Sequence, residues 1–578
     1  MLKTRASRDT WLFWTLALLV LGAGLGLRDP WPADEPRFAL VAKQMVESGN
    51  WLFPHRGIEL YSDKPPMLMW LQAAGYMVFG NWRVAFLLPS LLAALGTLWC
   101  VVDLGKRLWT RKVGLYAGWA LLFALQFTYQ AKKAQIDPLV TFWITLANYA
   151  FLRFFLCTRA DPKPDWRMWA LGWFAAGLGT ITKGVGVLAL AMVLPALFAT
   201  LRGWRDVRVP LRDWRVLLGP LAFAGAAALW LVPMLAAALS SHDPAYRGYV
   251  DDILFRQTAG RYAKSWDHPQ PPWYHLGVML TMWLPPLLAL PWALPAWKRR
   301  LQRRDARYLL PLAWWVMIVV FFSIPSGKRD VYILPALPMA CLALAPLLPG
   351  ILRRRWAERT ALAFATVLTF VALVLGVMLL SGQSSFEARF SAARGFASGS
   401  LPIAALLLAI GACGIASALW FRRRPVAVLL ATLTGTWVLF GLIGTPLLND
   451  SSSARGLMQD VGERIGPSAE LGLVAWKEQN LLMADRSATT FGFVAPWKEQ
   501  LQRGIAWQRA APARRWLLVQ EPALSQCIVR ERAILAGRAN RRQWWLVPAQ
   551  AVIPDCVPAG AVLEAGTDVG GGDSDSTP

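Results

Sequence analysis

The chain has 578 residues, 56% of them hydrophobic and only 16% charged, with a mean hydropathy of +0.38. Soluble domains carry about 25% charged residues, so water is excluded as the main solvent and a bilayer is implied; the 32 Trp residues agree, since Trp favours membrane–water boundaries. The formal net charge of +25 lies in short basic clusters between apolar runs, which points to anionic lipid headgroups and away from nucleic acid.

The N-terminus, MLKTRASRDT, is basic and precedes an apolar run from Trp11 to Leu27 with no convincing cleavage site before Arg28, so it reads as an uncleaved first span. A spanning helix needs about 20 mainly apolar residues. By that criterion about thirteen segments qualify, near residues 11–28, 83–105, 113–128, 136–156, 168–182, 184–201, 216–240, 273–297, 308–325, 330–350, 360–381, 401–421 and 426–446. With the N-terminus in the cytoplasm, the loops 106–112, 159–167, 202–215, 298–307, 353–359 and 422–424 all face inward, and all are short and basic. That is the positive-inside pattern at every second loop, and an odd number of spans then puts everything beyond about residue 447 outside.

The first outer loop, 29–82, is long. Apolar residues at helical spacing between Pro36 and Ser48 predict an amphipathic helix at the interface, and Pro65–Pro66 is suited to open a second one. A later outer loop, 241–272, holds four carboxylates, several Arg and two His. Residues 1–447 are therefore expected to form the membrane domain and 448–560 a small α/β or α+β domain, whose strands are ELGLVAW, RRWLLVQ and QWWLVP. The Gly/Ser/Asp-rich end, 561–578, is expected to be disordered. Cys527 and Cys556, the two cysteines of the tail, pair if the tail faces an oxidising compartment; Cys100, Cys157, Cys341 and Cys413 read as buried thiols.

Four charged constellations lie on the outer side. Asp34-Glu35-Pro36-Arg37 reads as a substrate-positioning pair or as a solvated helix start. In Tyr61-Ser62-Asp63-Lys64-Pro65-Pro66, the lysine beside a helix start makes an anion site with backbone N–H groups from Met67 onward; the plainer reading is a rigid turn. Asp137, in Gln135-Ile136-Asp137-Pro138, is a second acid or a helix cap. Lys328 and Arg329, in Ser326-Gly327-Lys328-Arg329-Asp330-Val331-Tyr332-Ile333-Leu334-Pro335, go against the charge bias; they are a phosphate or diphosphate site or snorkelling anchors. No GxxxxGK[ST] motif supports an ATP-driven pump, and neither HExxH nor GxSxG occurs.

Together, in this order and on one side, these segments resemble the membrane-embedded GT-C glycosyltransferases that use lipid-linked sugars, and among them the aminoarabinose transferase branch of the protein-mannosyltransferase-like superfamily. The likeness rests on the DExR motif (Asp34 to Arg37), the KPP motif (Lys64 to Pro66) with Tyr61 and Asp63 before it, Asp137 at the start of a span, and Gly327-Lys328 followed by Tyr332 to Pro335. It implies a polytopic α-helical GT-C fold in the bacterial inner membrane. It also implies an undecaprenyl-phosphate-linked sugar donor and an acceptor at the periplasmic face, lipid A in the aminoarabinose branch, with a link to polymyxin resistance. Other relatives use other sugars, proteins or envelope polymers. On this reading Lys64, Arg37, Lys328 and Arg329 stabilise the departing phosphate, Asp34 acts as base or stabilises the oxocarbenium-like centre, and Asp137 is the second acid. Glu35, Tyr61 and Tyr332 are the expected substrate contacts.

The chain departs from the family at Asp63, where aminoarabinose transferases generally carry Glu. In that family this acid and a later His can hold zinc, and His268 is the match here. Two ligands make a poor zinc site, so no cofactor is expected to be required. A monomer is expected. A transporter or flippase of lipid-linked solutes is the rival from another class, but transporters place ionisable groups near the bilayer midplane, whereas these charges cluster in outer loops. A receptor or scaffold with a sensing tail would leave the first loop without a role.

Overall fold

The computed structural model describes residues 2–158, 163–204, 206–210, 212–255, 269–381, 400–540 and 542–558. The predicted disordered end at 561–578 lies outside them, as does His268. Among the described residues, eight helices are long and apolar enough to cross a bilayer: Trp82–Leu108, Ile136–Phe155, Gly184–Leu201, Trp214–Ser240, Ala306–Ser323, Arg355–Leu380, Leu401–Trp420 and Pro425–Ser453. A ninth would be the pair Tyr274–Met282 and Pro286–Gln302, bent by 98° where prolines break the ladder. The chain is thus a multi-pass helical membrane protein. The other predicted spans coincide with helices that fall short on length or composition. These are α1 (Leu2–Gly22), charged in its first turns, and Arg111–Leu122, Trp166–Thr180 and Asp330–Leu344.

The predicted amphipathic segment forms α2 (Glu35–Ser48). Its apolar side, including Phe38, Leu40, Val41 and Met45, is buried, while Lys43 and Glu47 pair on the other side at 3.8 Å. Instead of lying free at an interface, α2 is sandwiched. It packs on α3 (Met67–Phe79) on one side, and Leu40 joins the core of the C-terminal unit on the other. Pro66 caps α3, as the Pro-Pro pair predicts. Between them a two-stranded hairpin, β1 (His55–Arg56) and β2 (Glu59–Leu60), projects toward the C-terminal unit. Gly57 turns this hairpin at φ +68°, and a Cβ there would meet the Trp476 ring at 2.9 Å.

The last spanning helix does not stop at Pro446. A π-helical turn at Phe440–Gly444 relaxes the ladder just before the proline, and the helix continues to Ser453. Beyond it, β3 (Glu470–Val474), β4 (Ala488–Thr490), β5 (Arg515–Gln520), β6 (Ile534–Ala539) and β7 (Arg542–Val547) form one sheet in the order β4-β3-β5-β7-β6. The first three strands are parallel and the last two antiparallel, so the unit is a mixed α/β sheet built on the three predicted strands. Cys527 and Cys556 form a disulfide.

One carboxylate ties the two parts together. Asp29, just past α1, accepts paired hydrogen bonds from Arg83 (2.9 and 3.0 Å) and from Arg455 (2.6 and 2.6 Å), and another from Asn449 (2.8 Å). Burial alone would raise this carboxyl; the bonds from Arg455, Arg83 and Asn449 outweigh it and hold it at about 2. Because the folded value lies below the unfolded one, the stabilisation is complete above about pH 4 and is lost as pH falls through about 2. It is worth about 2 kcal/mol. Thermal unfolding of the detergent-solubilised protein between pH 5 and pH 2 should show this loss, and Asp29→Asn should abolish that part of the pH dependence while lowering the melting temperature at neutral pH.

Candidate active site

The turn from α1 into α2 is set by Glu35. Its carboxylate is 4% exposed and accepts from both terminal nitrogens of Arg28 (2.5 and 2.7 Å) and from the backbone N–H groups of Trp31 (2.8 Å) and Ala134 (2.9 Å). Arg28 also donates to the Lys132 carbonyl at 2.9 Å. Glu35 therefore faces inward and joins the first outer loop to the segment before Ile136, with its oxygens engaged by protein donors.

That turn also carries Asp34. Asp34 accepts from Gln135 at 3.2 Å and pairs with Arg329 at 3.4 Å and Arg37 at 3.8 Å. Burial would raise its carboxyl, but the charges of Arg37, Arg329, Lys64 and Lys183 prevail and hold it below the usual carboxylate range. Sequence motifs spread from residue 34 to residue 329 thus converge on one acid.

Around it, Asp137 sits in the first turn of Ile136–Phe155 and is bonded to Lys183 at 2.7 Å. The Lys183 ammonium lies 5.0 Å over the ring of Tyr332. Tyr61 is buried, its hydroxyl has no hydrogen-bond partner among the described residues, and burial, with Asp63 nearby, pushes its pKa up. Arg56, from β1, approaches Asp63 at 3.7 Å and Glu478 at 3.5 Å, and stacks on Phe493 at 3.8 Å. Arg37 reaches Glu478 at 3.3 Å, and burial is outweighed by that carboxylate, so the guanidinium is held more firmly protonated than usual.

Lys328 lies apart from this exchange of charge. It is buried, and its ammonium donates to the carbonyls of Gln270 (3.0 Å) and Ser326 (3.5 Å). It fixes the loop that presents Arg329, whose carbonyl lies 3.3 Å from Nε2 of the buried His275. Among the described residues no group of three or more His, Cys, Asp or Glu gathers to hold a metal, and Asp63 faces a guanidinium. The geometry gives no zinc donor set among them, and no step below uses one.

Three participants escaped the sequence reading. Lys183 had a signal: a lone cation in the apolar stretch 168–201, where a charge needs a reason to exist. Arg56 and Glu478 had none, because a hairpin arginine and a helix-start glutamate are ordinary surface residues until the two parts of the chain dock.

A cavity of about 500 Å³ opens beside Asp34. Its lining combines apolar residues, Leu21, Leu25, Leu91, Trp437 and Phe440, with Asp34, Lys132, Lys133 and Gln135, and Asn540 of the C-terminal unit. Burial, with the Arg28 charge, pulls Lys132 down to about 7. The mixed apolar and charged lining suits an amphipathic ligand with an acyl or prenyl tail and an anionic head.

Residues 63–235 match the family model described as dolichyl-phosphate-mannose-protein mannosyltransferase. A Pseudomonas aeruginosa (strain LESB58) protein named undecaprenyl phosphate-alpha-4-amino-4-deoxy-L-arabinose arabinosyl transferase is 30% identical over 534 residues, covering 87% of this chain and 90% of its own length. The protein of the same name from Erwinia tasmaniensis is 32% identical over 344 residues, covering 58% of this chain and 58% of its own length. The crystal structure of ArnT from Cupriavidus metallidurans bound to undecaprenyl phosphate shares the fold, with a TM-score of 0.70 at 20% identity over 94% of this chain and 99% of that one.

Glu35→Gln breaks a buried ion pair by removing one partner, which costs about 3–5 kcal/mol. A lower melting temperature and reduced yield of folded protein are expected; an unchanged melting temperature would contradict the scaffolding role of this pair.

Proposed function

The chain belongs to the family of undecaprenyl phosphate-alpha-4-amino-4-deoxy-L-arabinose arabinosyl transferases, and from that premise we propose that it moves the aminoarabinose from its undecaprenyl-phosphate carrier to lipid A at the periplasmic face of the inner membrane. The observation that carries the proposal is the convergence of Arg37, Lys64, Lys183 and Arg329 on the half-buried carboxylate of Asp34. The proposed topology has about thirteen spans, the N-terminus in the cytoplasm and the sheet unit in the periplasm. The Cys527–Cys556 disulfide fits that oxidising side.

As the glycosidic bond breaks, positive charge develops at the anomeric carbon and negative charge on the departing phosphate. Lys64, Arg37 and Arg329 meet the phosphate, and Lys328 positions the Arg329 loop. Preorganised cations in a site shielded from water stabilise this charge more in the transition state than in the ground state. Asp34, held ionised, is a weak base. It is better suited to stabilising the oxocarbenium-like centre than to taking a proton, which favours an acceptor that is already anionic, such as a lipid A phosphate. Asp137, Lys183, Tyr332 and the unpartnered Tyr61 hydroxyl line the side suited to the sugar. Glu35 acts chiefly as scaffold, and it also lines the cavity beside Asp34. The route is a single displacement with inversion.

Lys64→Met should lower turnover sharply, by about 100-fold or more, while membrane insertion stays normal; near-normal turnover would remove Lys64 from the phosphate site. In cells, mass spectrometry of lipid A with and without the gene should show loss of an aminopentose increment in the deletion. Loss of a hexose increment would change the donor, and unchanged lipid A would redirect the search to proteins or other envelope polymers. Asp63 and His268 fall short of the three protein ligands of catalytic zinc sites, so extensive EDTA treatment should leave turnover intact; a loss restored by zinc would place a metal there.

A further inference from the structure

Among its described residues the C-terminal unit has no catalytic constellation of its own, yet it puts one carboxylate among the site's cations. Glu478 opens the helix Glu478–Met483 and is 5% exposed. Its Oε1 lies 3.3 Å from Nε of Arg37 and 3.5 Å from Nη1 of Arg56. Arg56 is fixed from a second direction by the Phe493 ring, and the Phe493 N–H in turn donates to Glu59 of β2 at 2.9 Å. Docking of the unit onto the hairpin and the placing of Glu478 are therefore one structural event.

Arg37 has two carboxylates within reach, Glu478 at 3.3 Å and Asp34 at 3.8 Å. A guanidinium out of water pairs with whichever carboxylate is available, and a paired, two-bond contact is its strongest mode. Without the charge at Glu478, Arg37 closes on Asp34. A two-bond contact would take Oδ2 of Asp34, which Gln135 and Arg329 hold, as well as Oδ1.

We propose that Glu478 is a positioning residue for sugar transfer: by sharing Arg37 with Asp34 it keeps those two from closing beyond their 3.8 Å contact into a two-bond pair, so that Asp34 faces the reacting centre and Arg37 faces the donor phosphate. The C-terminal unit is then an integral part of the active site. The inference rests on the transferase reading above.

The test uses the full chain reconstituted in lipid, with undecaprenyl-phosphate aminoarabinose as donor and lipid A as acceptor. Wild type, Glu478→Gln, Glu478→Asp, Arg37→Lys and the double variant E478Q/R37K are compared for kcat, donor KM and melting temperature. E478Q should lower kcat about tenfold while donor KM moves less than about threefold, and E478D should recover part of the loss. In the R37K background, E478Q should cost no more than about twofold further, because residues acting through one another are not additive. Glu59→Gln, which weakens docking, should lower the melting temperature, and any loss of kcat it brings should be absent in the E478Q background.

The proposal is overturned if E478Q turns over like wild type, or if the two losses multiply in the double variant, as they do when Glu478 only helps the unit dock. An inactive wild type sinks the transferase reading and this inference with it. An active wild type matched by E478Q sinks this inference alone.

Discussion

The buried ion pair between Arg28 and Glu35 is the contact on which the site depends. A carboxylate that leaves water at a membrane surface needs its charge met and its lone pairs occupied, or the cost of burial undoes the fold. Here Arg28 and two backbone N–H groups meet that need, and the donors come from both sides of the site: the end of the first helix and the segment before Ile136. This pins the turn that carries Asp34 and Arg37. Asp29, one residue beyond Arg28, then locks the same turn to Asn449 and Arg455, at the foot of the C-terminal unit. Two neighbouring residues thus connect the spans, the loop after the first helix and the C-terminal unit.

What this scaffold presents is a set of charges that do not quite cancel. Arg37, Arg56, Lys64, Lys183 and Arg329 stand against Asp34, Asp63, Asp137 and Glu478, one cation in excess. Each pair is loose enough, at 3.3 to 3.8 Å for most contacts, to rearrange around an incoming anion. The Asp137–Lys183 contact at 2.7 Å is the tight exception. A site of this kind suits chemistry in which a phosphate departs, because the protein already holds the compensating charge. The cavity beside Asp34, lined by both apolar and charged residues, adds room for an amphipathic ligand.

Much of this was legible in the sequence. The amphipathic helix, the Pro-capped helix after it, three of the five sheet strands and the cysteine pair all have local physical signals: helical spacing, a fixed φ, alternating apolar runs and a lone pair of tail cysteines. The motif acids and cations draw attention for the same reason, since charge at a membrane boundary stands out against apolar surroundings. What was not legible depends on docking. Glu35 and Arg37 are two residues apart, yet one serves the scaffold and the other the site, and only the tertiary partners decide which. Lys328 and Arg329 divide in the same way. Helix length was harder to read than helix existence, as at Pro446, where a π-helical turn lets the helix run on where sequence rules would end it.

The most direct test of the account is the stereochemistry of transfer by the purified protein in lipid vesicles. Given undecaprenyl-phosphate aminoarabinose and lipid A, the account predicts glycosylated lipid A with inverted anomeric configuration by NMR, free undecaprenyl phosphate in equal amount, and no sugar attached to the protein. Retained configuration with a sugar–protein adduct, or donor recovered chemically intact on the opposite leaflet, would contradict it.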